Sequence, residues 1–123
     1  ILIPAARPDV VREDNAGQVR AKLMLQGANI PCTEAAEKLL FHREVVVVPD
    51  FIANAGGVIC AAMEYRGATP AAAFDAIEQK IRGNTQQVLD DAARRNIMPR
   101  QAANDLARGR VREAMAMRRF SIM

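Results

Sequence analysis

Four consecutive valines, Val45 to Val48, end at Pro49-Asp50 and lead within a few residues into Asn54-Ala55-Gly56-Gly57. A run that is β-branched throughout and bounded by Glu44 and proline reads as a strand buried on both faces of a parallel sheet. The chain leaves that strand through a small, bare turn and enters a helical run. That order commits it to an α/β fold and raises the question of what fits against the bare backbone.

Two further apolar runs, Ile1 to Ile3 and Lys22 to Leu25, also read as strands, and each of the three ends in a compact turn. The turns are "PAARPD", "QGANIP" and "PDFIANAGG". The intervening segments have helical character. One is short, around Glu13 to Ala21. The next starts at Thr33, a capping residue; Ala36, Leu39 and Leu40 give it an apolar face, with Glu37 and Lys38 on the exposed side. Strand–helix alternation at this spacing implies right-handed parallel crossovers. All three strand carboxyl ends then share one sheet edge, which is where open α/β sheets bind ligands.

Beyond Gly67 the pattern is helical only. Thr69-Pro70 supplies an N-cap and a proline at the first helical position. Phe74, Ile77, Ile81, Val88, Leu89 and Ala92 then hold a stripe to about Arg95, with a bend predicted at Gly83-Asn84. Pro99 opens a last helix with Ala103, Leu106, Ala107, Val111, Ala114 and Met115 on one side. Gly109 costs that helix about 1 kcal/mol relative to alanine, which implies a close backbone approach there.

At 123 residues, half hydrophobic and a quarter charged, the chain suits one globular domain with a real core. From Arg94 to Arg119 there are eight arginines against two acids, Asp105 and Glu113. The simpler reading of that run is the solvated face of a terminal helix. No aromatic signature of RNA binding accompanies it, so nucleic acid is not the expected partner. Cys32 and Cys60 form no metal-ligand spacing with the lone His42, and no apolar run is long enough for a membrane span. A reduced, cytoplasmic protein is expected. The opening "ILIPAARPD", apolar from the first position and without Met, reads as part of a longer polypeptide.

Catalytic groups are scarce. Lys22 heads a strand, and Lys38 and Lys80 fall on helical surfaces. Asp50 is the best-placed acid, and its position after Pro49 favours a capping role. In "QGAN", Gly27 lets the backbone leave a strand without a Cβ clash. Asn29 offers a donor and an acceptor at the sheet edge, although on that tetrapeptide alone it reads as a turn former before Pro31. "ANAGG" places Asn54 and two glycines at a helix mouth, without the spacing of a G-x-G-x-x-G phosphate loop.

Three motifs in order, "LIPAA" (Leu2 to Ala6), "QGAN-P-T-A" (Gln26 to Ala35) and "VVPDFIANAGGVI" (Val47 to Ile59), together resemble the amino-acid dehydrogenases acting on glutamate, leucine, phenylalanine and valine. The closing "AAND-A--RVREAM" resembles that family's carboxyl-terminal end, so the likeness covers nearly the whole chain. It implies a partial Rossmann-type fold: about three parallel strands with flanking helices and a carboxyl-terminal all-helical segment. Residues 1–68 would be the second half of an NAD(P)-binding domain, and 69–123 the closing helices of the same domain. The family's catalytic lysine and aspartate and its phosphate loop would precede Ile1, so the chain alone is expected to be inactive.

The resemblance further implies NAD or NADP as cofactor, an amino acid or 2-oxo acid as substrate, and a homo-oligomer. Ala5 and Ala6 would line the nicotinamide side, Asn29 would bond near the nicotinamide ribose and substrate, and Asn54 would hold the cofactor ribose. Val58 and Ala61 would line the substrate side-chain pocket. Glutamate-specific members typically place serine at the position of Ala61, so the resemblance leans toward an apolar amino acid. Arg7, Gln26 and Cys32 depart from the family's usual residues. A non-catalytic nucleotide- or partner-binding module is the alternative.

Overall fold

The computed structural model describes residues 1–118. Its elements run β1 (Leu23–Leu25), α1 (Glu34–His42), β2 (Val46–Val48), α2 (Asp50–Ala53), α3 (Gly56–Tyr65), α4 (Pro70–Arg95) and α5 (Pro99–Arg118), with a 3-10 turn at Ala16–Gln18 before β1. β1 and β2 are parallel, with Leu23 opposite Val46, Met24 opposite Val47 and Leu25 opposite Val48.

The expected first strand is reduced to one parallel bridge, Leu2 to Met24. It is held by Leu2 N–H to the Leu23 carbonyl at 2.9 Å and Leu25 N–H to the Leu2 carbonyl at 3.0 Å. Pro4, buried just beyond, has no N–H with which to extend the ladder. Ile1 and Ile3 flank the bridge at 82% and 57% exposure, so this side of the sheet is an open edge.

Side-chain alternation divides the core in two. Met24 and Val47 face Ala36 and Leu40 of α1, together with Val11, Ala16, Cys32 and Val45. Val48 faces the other way, onto Val88 and Ala92 of α4 and Ala102 and Ala103 of α5, with Leu23 and Leu25 packed alongside. Both faces therefore carry helices, as the valine run predicts. The second layer stops short of Val46, which stays 41% exposed.

Local signals set the helix ends. The Thr33 hydroxyl accepts the Ala36 N–H and the Thr69 hydroxyl accepts the Ala72 N–H, each at 3.2 Å. Asn96, in the left-handed region at φ 51°, closes α4.

Four expectations fail. The segment around Glu13 to Ala21 forms only the 3-10 turn, because the Arg43 guanidinium takes the Ala16 and Val19 carbonyls at 2.6 and 2.9 Å. Helix α4 is one element through Gly83-Asn84, since an exposed glycine weakens a helix without removing its hydrogen bond. Gly109 has open space where a Cβ would stand, so no close approach accounts for it. Leu39, Phe74, Val111 and Met115 lie more exposed than an apolar face requires. Helix α4 is packed in part against α3, in which no residue is buried.

Cys32 is buried, and burial, with a smaller contribution from the Glu37 carboxylate, pushes its thiol up to about 12. Cys60 is partly exposed on α3, its Sγ 3.8 Å from Glu64 Oε1. Native protein at pH 8 is therefore expected to take up one equivalent of a maleimide, at Cys60, and a second only in denaturant. Two equivalents reacting at comparable rates in the folded state would show that Cys32 is not sealed.

Candidate functional site

The three strand-end turns meet, as their pattern predicts. The Gly27 and Ala28 N–H groups both donate to the Pro4 carbonyl, at 3.1 and 3.0 Å, binding the second turn to the first. A Cβ on Gly27 would lie 3.0 Å from the Ala5 Cβ and 3.4 Å from Ile3 Cγ2, so the approach is open only to glycine. Asp9 N–H donates to the Ile30 carbonyl at 2.9 Å. From the third turn, Asn54 Nδ2 donates to Asn29 Oδ1 at 2.8 Å and lies 3.4 Å from the Gly27 carbonyl.

Ala5, Asn29 and Asn54 are thus gathered at one edge, with exposed Ala6 next in the chain. Among the described residues the Asn29 amide nitrogen and the Asn54 amide oxygen enter no hydrogen bond. Val58, 78% exposed, and Ala61 lie three residues apart on the open side of α3, which starts two residues after Asn54. Gly57 faces open space, and a Cβ on Gly56 would meet only Ile77 Cγ2, at 3.6 Å. Tight packing therefore does not account for the glycine pair. Ala55 provides no side-chain cap, so the first N–H groups of α3 are left without that partner.

Beneath the edge lies a buried polar cluster that the sequence does not disclose. Arg100, at the start of α5, donates from Nε to Glu37 Oε2 and from Nη2 to Glu37 Oε1, both at 2.7 Å. Nη2 also reaches Gln26 Oε1 at 2.8 Å and Asp50 Oδ1 at 3.2 Å. Gln26 Nε2 donates to Glu37 Oε1 at 2.6 Å, and Asp50 N–H donates to Gln26 Oε1 at 3.2 Å. The other Asp50 oxygen accepts the Ile30 N–H at 2.9 Å. Gln26 and Glu37 are 0% and 4% exposed, and no buried side-chain nitrogen or oxygen among the described residues lacks a partner. Glu37, expected on an exposed face, is instead the main counterion of Arg100. Asp50 is not a helix cap: Pro49 occupies the cap position, and the carboxylate is spent on Ile30 and Arg100.

The residues matched with known proteins run almost the length of the chain. The family model for Glutamate/Leucine/Phenylalanine/Valine dehydrogenase matches residues 1–119. The chain belongs to this family. A glutamate dehydrogenase of Aeropyrum pernix is 40% identical over 129 residues, covering 96% of this chain and 31% of the relative. An NADP(+)-dependent glutamate dehydrogenase of Pyrobaculum calidifontis is 60% identical over 65 residues, which is 53% of this chain and 15% of the relative. The crystal structure of glutamate dehydrogenase from Peptoniphilus asaccharolyticus superposes with a TM-score of 0.81 at 28% identity, over 94% of this chain and 31% of that one. The chain thus spans less than a third of the length of these relatives.

Among the described residues of this dehydrogenase family member, His42, Lys22 and Lys38 are exposed and no group of three metal-ligating side chains occurs. Among the described residues, no helix is long and apolar enough to cross a membrane. Much of the basic run is engaged internally. Arg94 and Arg95 pair with Asp91, Arg95 also with Asp105, and Arg110 donates to Asn84. Arg119 lies outside the described residues.

Electrostatics follow from the cluster. Burial alone would raise the Asp50 carboxyl, but the Ile30 and Phe51 N–H groups and the Arg100 charge outweigh it and hold it below its ordinary value. Burial likewise disfavours the Arg100 charge, yet its bonds and attraction to Glu37 keep the guanidinium above its usual range.

Two predictions result. A folded-state carboxyl below the ordinary value of 3.8 contributes stability that is full above that pH and is lost as pH falls from there through the lower folded-state value. Asp50→Asn should therefore lower the melting temperature at pH 7 and flatten its fall below pH 4; acid profiles parallel to those of the parent would contradict the assignment. Gly27→Ala forces Cβ atoms to within 3.0 Å and should cost about 1–3 kcal/mol in urea denaturation, whereas Gly57→Ala should cost little. Equal costs would refute the packing account.

Proposed function

We propose that this chain forms the carboxyl-terminal part of the NAD(P)-binding domain of an amino-acid dehydrogenase. Residues 1–68 are the second half of the nucleotide fold and 69–123 its closing helices. The observation that carries the reading is the Asn29–Asn54 pair, held at the carboxyl edge of a parallel sheet with the Asn29 amide NH2 and the Asn54 amide oxygen left over. A ribose hydroxyl is both donor and acceptor, so these two groups match it.

When bound, NAD(P) would supply the hydride acceptor for the reversible oxidative deamination of an amino acid to a 2-oxo acid and ammonia. This chain's share is positioning. Asn54 fixes the ribose, Asn29 reaches toward the ribose and substrate, and Ala5 and Ala6 present small side chains to the nicotinamide. Gly56 and Gly57 keep the approach to α3 clear. Catalytic acid–base groups belong to another part of the protein. Assembly as a homo-oligomer accords with the same family resemblance.

The names of the relatives favour glutamate as substrate, and both cofactors find support: the Pyrobaculum relative is named NADP(+)-dependent and a Halobacterium salinarum relative NAD-specific. One observation favours a second reading. Ala61, on the open side of α3 with Val58, offers no hydroxyl to a distal carboxylate, and an unpaired carboxylate is costly to desolvate. That wall suits leucine, valine or phenylalanine. A binding module without catalysis would show cofactor binding and no turnover of any amino acid.

Steady-state kinetics on the full-length enzyme decide among these. Glutamate should give the highest kcat/KM, and Ala61→Ser should raise it further. A kcat/KM for leucine, valine or phenylalanine above that for glutamate would establish the apolar reading, and no turnover with any of the four would remove the enzyme reading.

A further inference from the structure

Asn29 is followed by a residue in an unusual conformation. Ile30 has φ 49°, in the left-handed region, although it is β-branched and 62% exposed. That conformation is strained for such a side chain and persists only where its surroundings impose it. Hydrophobic packing does not hold an exposed isoleucine in place. Its backbone is instead bonded on both sides: the N–H donates to Asp50 Oδ2 at 2.9 Å, and the carbonyl accepts from Asp9 N–H at 2.9 Å.

Asp50 is in turn fixed from below. Its second oxygen accepts from Arg100 Nη2 at 3.2 Å, and its own N–H is held by Gln26. Arg100 is oriented by two bonds to Glu37 and by the Phe51 ring, 5.8 Å from the guanidinium carbon to the ring centroid. A continuous line of contacts therefore runs from α5 through Asp50 to the strained residue beside Asn29. Asp50 also opens the segment that ends at Asn54, whose N–H donates to the Asp50 carbonyl at 2.8 Å. One carboxylate residue thus governs both halves of the asparagine pair.

We propose that Arg100 is a positioning residue for the Asn29–Asn54 pair, acting through Asp50 to impose the left-handed backbone at Ile30. Arg100 touches neither asparagine, so it does not bind cofactor. It sets where Asn29 Oδ1 stands relative to Asn54. The proposal rests on the reading of that pair as the cofactor-ribose site.

The test uses the full-length dehydrogenase and the dissociation constant of the reduced nicotinamide dinucleotide, read by its fluorescence, alongside the melting temperature. Asn54→Ala tests the site and Arg100→Lys tests the positioning. Ile30→Asn in the Arg100→Lys background supplies the discriminating readout, because asparagine adopts the left-handed region readily. We expect Arg100→Lys to weaken cofactor binding about tenfold or more, as misplacing a supporting group commonly does. Ile30→Asn should restore most of that affinity while leaving the lowered melting temperature of Arg100→Lys unrestored. Where Arg100→Lys fails to fold, Asp50→Asn replaces it, with the same rescue expected. Affinity unchanged in Arg100→Lys, or lost without rescue by Ile30→Asn, overturns the positioning role. Affinity unchanged in Asn54→Ala overturns the ribose-site reading itself.

Discussion

The Arg100 guanidinium is the contact on which the arrangement of this domain depends. It joins the carboxyl ends of both strands to α1 and α5, four elements that no continuous stretch of apolar packing unites. The core is divided, with α1 on one face of a two-stranded sheet and α4 with α5 on the other. Burying Glu37, Asp50 and Arg100 is unfavourable in itself, because each loses hydration. The cluster is viable because Gln26 supplies the missing donor and acceptor, leaving no buried side-chain polar atom unpaired among the described residues. A half-satisfied cluster of this kind would be worse than an apolar one, so its members act as a unit.

The same economy explains where the domain is firm and where it is open. The turns at the strand ends are rich in glycine, alanine and asparagine, which add little packing of their own. Gly27 is pressed against Ala5, and the Asn29–Asn54 pair closes over the junction. Beyond Asn54 the support thins: α3 contains no buried residue and meets the rest mainly through α4. Exposed Val58, Tyr65 and Phe74 on α3 and α4, with Ile1 and Ile3 at the sheet edge, mark apolar surface uncovered in a chain that spans less than a third of its relatives. The candidate site has one wall braced by the cluster and one thinly supported wall on α3.

Much of this architecture is legible in the sequence. The valines announce a strand covered on both faces, Thr33 and Thr69-Pro70 mark helix starts, and Pro99 marks another. The turns converge as parallel topology requires. Each of these signals is short-ranged, carried by residues within about four positions of one another, which is the reach of a cap, a turn or a strand alternation. The same locality misleads at Glu37. A glutamate in the first turn of a capped helix looks like a solvated residue assisting the helix dipole, and nothing nearby reveals a partner 63 residues away. Leu39 and Phe74 fail for the mirror reason: helical periodicity assigns a face, and only a neighbouring element can bury it.

The sequence by itself determined the α/β order, the helix starts, the glycine and asparagine turns at the strand ends and the membership of a dehydrogenase family, because those are properties of neighbouring residues and their spacing. Tertiary structure alone decided which charges are buried, that Asn54 meets Asn29 across 25 residues, and that Ile30 is held in a left-handed backbone by Asp50 across 20. Those choices depend on which elements pack against which. A guanidinium selects its carboxylate by geometry and desolvation after the helices have docked, and one-dimensional spacing carries no record of that selection.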